Sequence, residues 1–363
     1  MRIHSGPLQD LITEVFVEAG CSSPEAERIG RRLVRANMTG HDSHGVIRTH
    51  RYVEWLAAGV QVADQELDVV LDTDVYAILD GKFGMGQTVG EQAVQVGIDK
   101  AKQHGVSIIA LRHAGHLGRI GDWAEMAADQ DLVSIHFVNV RGGALVAPFG
   151  GSEKRFGTNP VTIGVPQDAE HHLILDFATS IVAEGKAYVS LLGGPTLPEG
   201  SLVTGDGKLT NDPSALYGEV APGELPNARN GSGGLRAMGE HKGSGLAFMC
   251  EILAGALTGS RPTGPEARRF CNGMLSIYLD VATFDTENTF SADVMEFVEW
   301  MKETRTAEGH HEILVPGEPE LRRAKDRTVS GLTLPTETWG SISSAAQSVG
   351  LSLDRIERDL LED

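Results

Sequence analysis

Val106-Ser107-Ile108-Ile109-Ala110-Leu111 and Val133-Ser134-Ile135-His136-Phe137-Val138 flank a helical segment around 121–130. Two β-rich runs with a helix between them form the basic unit of an α/β pattern. The unit repeats outward in both directions. Strands are expected at 75–79, 161–165, 173–176 and 274–279, with helical segments around 89–103, 181–192 and 242–258. Such alternation predicts an α/β domain with a buried sheet over residues 71–284.

The flanks differ in texture. Leu8, Leu11, Ile12, Val15 and Phe16 repeat at helical spacing and stop at Gly20. Ser23-Pro24-Glu25 opens a second helix with a capping hydroxyl, a proline at the first helical position and an acid in the first turn. Ala26, Ile29, Leu33 and Val34 carry its apolar stripe. The tail is helical again over 292–303, with two short helices expected after Pro335. Residues 1–70 and 285–363 are therefore expected to meet in one α-helical domain. At about 150 residues per domain, 363 residues fit two such units. Asn227–Gly234, rich in glycine, reads as a mobile loop.

Composition narrows the function. Lys and Arg number 31 against 50 Asp and Glu, a formal charge of −19. Such a surface repels phosphate backbones and anionic lipids, so no nucleic-acid or membrane partner is expected. No apolar run reaches the ~18 residues of a membrane span. The first residues lack the apolar stretch of a signal peptide, and a cytoplasmic protein is expected. Cys21, Cys250 and Cys271 are odd in number and form no C-x-x-C pair, as suits a reducing compartment.

The chemistry concentrates in a few places. Residues 41–55 read His-Asp-Ser-His-Gly-Val-Ile-Arg-Thr-His-Arg-Tyr-Val-Glu-Trp. If a helix starts near Gly45, then His44, Arg48, Tyr52 and Trp55 share one face, and Val46, Val53 and Leu56 face the core. Arg48 could grip a carboxylate while His44 trades a proton with a neighbouring oxygen. The other reading makes His44 a helix cap and Arg48 and Tyr52 a solvated face. His41/His44 and His113/His116 form two H-x-x-H pairs, but no glutamate follows the first histidine of either and no cysteine accompanies them, so no metal is expected.

Gly84-Met85-Gly86-Gln87-Thr88-Val89-Gly90 lies between a strand and a helix, yet its G-x-G-x-x-x-G spacing misses the dinucleotide fingerprint and reads as a plain turn. The glycine-lined helix starts at His113–Gly121 and Met238–Gly245 could receive a phosphate-bearing ligand through backbone amides.

The motifs His41-Asp42-Ser43-His44-Gly45, Phe156-Gly157-Thr158-Asn159-Pro160, Asp176-Phe177-Ala178-Thr179-Ser180 and His241-Lys242-Gly243 occur in an order that resembles the malate/L-lactate dehydrogenase family of the non-Rossmann type. The resemblance extends over nearly the whole chain. The Met249-Cys250-Glu251-Ile252-Leu253 run and the His-Leu-Gly-Arg-Ile-Gly loop are most similar to its hydroxycarboxylate dehydrogenase branch. It implies an oxidoreductase using NAD or NADP on small 2-oxo and 2-hydroxy acids, as a homodimer. The implied fold packs an α-helical domain from both termini on a distinctive non-Rossmann α/β cofactor domain. Cyclic imine-2-carboxylates are the implied alternative substrate, and a nucleotide-binding protein without turnover is the non-enzymatic one.

By family position, His44 stands beside the nicotinamide as a proton donor, with His116 its rival. The cofactor would be held at His44, Gly118-Arg119-Ile120, Ile174-Leu175-Asp176-Phe177-Ala178, His241, Asn272 and Pro316-Gly317-Glu318. Asp176 would orient a catalytic histidine. Many family members carry Asn-Ser-x-His where this chain has Arg112-His113-Ala114-Gly115-His116, and the substrate side of the pocket stays open.

Overall fold

The computed structural model describes residues 2–167, 171–191, 193–220, 226–267 and 269–352. Its main sheet has seven strands: β1 (Asp68–Asp72), β2 (Tyr76–Asp80), β3 (Val106–Ala114), β4 (Leu132–Arg141), β5 (Val161–Val165), β6 (Leu173–Phe177) and β7 (Cys271–Asp280). They run in the order β1-β2-β3-β7-β4-β5-β6. Only β2 and β3 pair in parallel; the other neighbours are antiparallel. A doubly wound nucleotide-binding sheet is mostly parallel, so this is a different construction. The last strand of this sheet in sequence, β7, enters its middle. It is buried along nearly its whole length, as an apolar central strand must be.

The helices that matter for the site are α1 (Ser5–Glu18), α2 (Ser23–Met38), α3 (Thr49–Ala57), α4 (Gly86–His104) and α5 (Gly121–Ala128). Helix α4 lays Val89, Ala93, Val94 and Ile98 against Leu79, Ile109, Leu111 and Tyr278 of the sheet. A separate core joins the two ends of the chain. Leu8, Ile12, Phe16 and Leu33 pack with Tyr52, Leu332 and Ile342, and Arg2–Ile3 pairs antiparallel with Leu332–Thr333.

Several sequence expectations need correcting. Strand β1 was not anticipated: its Val and Leu residues lie on an exposed edge and carry no burial alternation. The helix expected over 242–258 is α-helical only over His241–Cys250 and widens to a π-helix over Glu251–Leu257. That extra-wide turn seats the buried Glu251 carboxylate where the Asn139 and Asn159 amides and the Thr263 N–H donate to it. The stretch 227–234 is tied down. The Lys154 ammonium bonds the carbonyls of Leu216, Ala228 and Gly231, and the Gly231 and Gly233 N–H groups bond Leu216 and Ala215. After Pro335 one helix runs from Thr336 to Ser348, and the second expected there lies outside the described residues.

His136 is wholly buried on β4, between the hydroxyls of Ser134 at 3.1 Å and Ser276 at 2.8 Å. Burial pushes its pKa from 6.5 down to about 3. The unfolded chain takes up a proton below pH 6.5, whereas the folded chain refuses it until about 3. Stability is therefore complete above pH 6.5 and is lost as the pH falls through this window. For this group the slope approaches about 1.4 kcal/mol per pH unit. Urea midpoints compared at pH 7 and 5 read it, and a slope unaltered in His136→Asn contradicts it.

Candidate active site

The segment that carries the site is held by an asparagine and a glycine. Two short 3-10 turns, Asp42–His44 and Val46–Arg48, precede α3, so the regular helix starts four residues later than expected from Gly45. Gly45 is extended between them, and the Asn37 amide oxygen accepts the Val46 N–H at 2.8 Å. A Cβ on Gly45 would collide with that same amide. The sharp bend still places His44, Tyr52 and Trp55 together.

His44 and His116 stack with ring centroids 5.4 Å apart and planes 18° from parallel. The Tyr52 hydroxyl lies 2.5 Å from His116 Nδ1, and Tyr52 itself is fully buried rather than on a wet face. The Tyr52 and Trp55 rings stack at 6.0 Å, Trp55 stacks on Phe270 at 4.5 Å, and Phe270 tilts toward His116 at 6.0 Å. Together they form an aromatic wall behind the two imidazoles.

Burial, reinforced by the neighbouring His116 and Arg48 charges, holds the His44 pKa well below 6.5. Burial and then Arg48 push His116 down to about 3. Both rings are therefore neutral at pH 7. Among the described residues, buried His44 Nδ1 has no hydrogen-bond partner, an acceptor or donor left open at the centre of the site. The Arg48 guanidinium donates through Nε to the Ser43 carbonyl at 2.6 Å and faces the Glu184 carboxylate at 3.5 Å. A partly exposed cation beside two neutral imidazoles suits a small carboxylate.

Glycines bring the second histidine into place. A Cβ on Gly86 would collide with the His116 carbonyl, and one on Gly90 would stand 2.9 Å from Leu117 and Trp123. The Gly84–Gly90 pattern thus serves close packing of α4 against the His116 loop. Gly86→Ala is expected to cost about 1–3 kcal/mol by overpacking and to disturb His116. Chemical denaturation reads the stability, and unchanged stability would place the loop elsewhere.

Some expected contacts are redirected. The Asp176 carboxylate accepts the Gly121 N–H and the Thr162 hydroxyl, each at 2.8 Å. It caps α5, where a helix start offers unpaired amides and a positive dipole end. The Arg119 side chain is buried and pairs with Asp122 and Glu125 at 2.8 Å each, because a buried guanidinium needs carboxylate partners. The Arg119 and Ile120 carbonyls accept the Asp122 and Trp123 N–H groups, which leaves the N–H groups of 118–120 for a ligand. Asn272 is also occupied, accepting from the Leu117 N–H and donating to the Asn139 carbonyl, both at 2.9 Å. It braces the His116 loop.

Two other expected cofactor segments do meet. Strand β6 is a sheet edge, and the Pro316-Gly317-Glu318 turn lies against it. A Cβ on Gly317 would stand 2.7 Å from the His172 carbonyl and 3.2 Å from the Ile174 N–H. Ile174 packs inward against Ala124 and Ala128, while Leu175 is exposed. His241 stands apart from the His44–His116 contacts, edge-on to Phe149 at 6.0 Å beside a cavity of about 320 Å³. The H-x-x-H pairs diverge: His41 faces Glu320 at 3.4 Å, and His113 lies 3.1 Å from Asp80. Among the described residues no cluster suits a metal ion.

The model of the malate/L-lactate dehydrogenase family matches residues 3–343, and the chain belongs to that family. Hydroxycarboxylate dehydrogenase B of Escherichia coli K12 is 35% identical, covering 98% of this chain and 96% of its own. Among solved structures, a putative malate/lactate dehydrogenase from E. coli superposes with TM-score 0.91 at 34% identity, covering 100% of this chain and 99% of that one. The delta1-piperideine-2-carboxylate reductase of Pseudomonas syringae follows with TM-score 0.79 at 27% identity, covering 95% and 100%.

Proposed function

We propose that this chain interconverts a small 2-hydroxy acid and its 2-oxo acid with NAD or NADP. The observation that carries the reading is the Arg48 guanidinium beside two neutral, stacked histidines. Arg48 binds the carboxylate. His44 moves the proton at the C2 oxygen, and His116 touches the same oxygen as its rival. The open Nδ1 of His44 and the N–H groups of Gly118, Arg119 and Ile120, which have no backbone acceptor among the described residues, fit a bound nicotinamide nucleotide. Ile174–Ala178, Pro316–Glu318, His241 and the loop braced by Asn272 would complete its cradle. When bound, the nicotinamide supplies or accepts the hydride at C2.

The neutral imidazoles set the direction of the protein's own contribution. An unprotonated His44 takes the hydroxyl proton of a 2-hydroxy acid. The reverse step needs the ring protonated first, which an anionic carboxylate in the site favours. The family membership supports the two-part layout, with 1–70 and 285–363 as the helical part and 71–284 as the cofactor part. A homodimer completes the proposal. It is supported by the exposed Phe284, Phe297 and Trp300, an apolar surface a lone chain would leave wet.

A cyclic imine-2-carboxylate is the second substrate reading, motivated by the fold shared with the piperideine-carboxylate reductase. The test mixes the protein with NADH or NADPH and a panel of 2-oxo acids and cyclic imines. Loss of reduced-nicotinamide absorbance with oxo acids supports the first reading, and loss with imines alone selects the second. Tight cofactor binding with no turnover would mean a nucleotide-binding protein instead.

A further inference from the structure

We propose that Tyr52 is a positioning residue that fixes His116 as the tautomer carrying its proton on Nε2, making it a hydrogen-bond donor to the substrate and leaving proton transfer to His44. This rests on the dehydrogenase reading for its consequence, but the tautomer stands on the hydrogen-bond inventory alone.

The inventory starts at Gln87, buried at the beginning of α4. Its amide nitrogen lies 3.2 Å from the Tyr52 oxygen and 3.3 Å from the His116 carbonyl. A carbonyl can only accept, so the group facing it is the amide NH2, and the other N–H goes to Tyr52. The Tyr52 oxygen therefore accepts from Gln87. Its own proton needs an acceptor, since a buried hydroxyl left unpaired is costly. His116 Nδ1, at 2.5 Å, is the acceptor on offer. If Nδ1 instead donated to Tyr52, the phenolic proton would be stranded. The phenol does not ionise to escape this, because burial pushes its pKa up to about 12.

A neutral imidazole that accepts at Nδ1 must carry its hydrogen at Nε2. His116 then offers an N–H to a ketone or alkoxide oxygen and has no free lone pair with which to take a proton. Among the described residues His44 has no such anchor: its buried Nδ1 is unpaired, and its tautomer is free to follow the reaction. The two stacked rings thereby acquire different duties, one fixed as donor and one able to exchange protons. Gln87 acts one step further out by committing the Tyr52 oxygen to accept.

Nitrogen-15 NMR of the full chain labelled at histidine tests this without any substrate. His116, assigned from His116→Asn, is expected to show a protonated Nε2 and a hydrogen-bonded, unprotonated Nδ1 at pH 7. In Tyr52→Phe the Nδ1 resonance moves to the position of a free acceptor. With an oxo acid that the wild-type protein reduces, kcat drops roughly tenfold, with a smaller change in KM. A wild-type proton on Nδ1 overturns the proposal whether or not the variant folds. So does an Nδ1 resonance unchanged in a folded Tyr52→Phe. The NMR result does not depend on turnover, so an inactive protein with the expected spectrum would refute the dehydrogenase reading and leave the tautomer intact.

Discussion

His44→Asn lowers turnover at least about a hundredfold while cofactor binding persists, since general acid–base catalysis contributes about 10²–10⁴. The asparagine keeps a polar group near the stacked His116 ring but cannot carry a proton. His44 is held well below 6.5 by burial and by the charges around it, so it is a ready base at neutral pH. Oxidation of the hydroxy acid is then expected to hold its rate at neutral pH and lose it only well below pH 6.5, where the ring protonates. Reduction of the oxo acid needs the protonated ring and gains rate over the same interval. The variant flattens both limbs. His116→Asn also lowers turnover, by less, because it loses a donor rather than the proton carrier. Steady-state rates across pH 5–8 in both directions separate the two. A normal rate and unaltered profile in His44→Asn would reduce it to a cofactor contact and pass the role to His116.

Arg48→Lys raises KM for the 2-oxo acid by about ten- to a hundredfold and leaves cofactor affinity nearly unchanged. Losing one charge-assisted hydrogen bond costs about 1.5–3 kcal/mol. The guanidinium is anchored through Nε to the Ser43 carbonyl and through Nη2 faces Glu184, which holds its planar N–H set in one orientation for a carboxylate at Nη1. Lysine has neither the anchor nor the fork, so it offers a mobile point charge instead. Initial rates against oxo-acid concentration, paired with NADH titration by fluorescence, separate the two effects. Unchanged kinetics would place Arg48 on the solvated face.

Parts of this site were legible because the local chain presents them. His44, Arg48, Tyr52 and Trp55 share a helical face in the sequence, and His44, Tyr52 and Trp55 remain together even though Gly45 delays the helix to Thr49. Other residues gave no local signal. Phe270 meets Trp55 from a segment more than two hundred residues away, and no spacing rule reaches that far. Gln87 was hidden inside a glycine pattern that reads as a turn. A buried polar residue among those glycines was the available clue. Asp176 shows a second limit: its motif suggests chemistry, while the fold also engages its carboxylate with the Gly121 N–H at the start of α5 and with the Thr162 hydroxyl.

The alternation of strands and helices, the helical ends and the histidines of the site are all readable along the chain. These follow from hydrophobic period, caps and side-chain type, which act over a few residues. The strand order, the insertion of β7 into the centre and the facing of groups come from the assembled fold. Hydrogen-bond partners are set by whatever the fold brings within about 3 Å. The pairing of His116 with Tyr52 rather than Asp176 could arise only there, because it depends on α4, the His116 loop and α3 meeting in space.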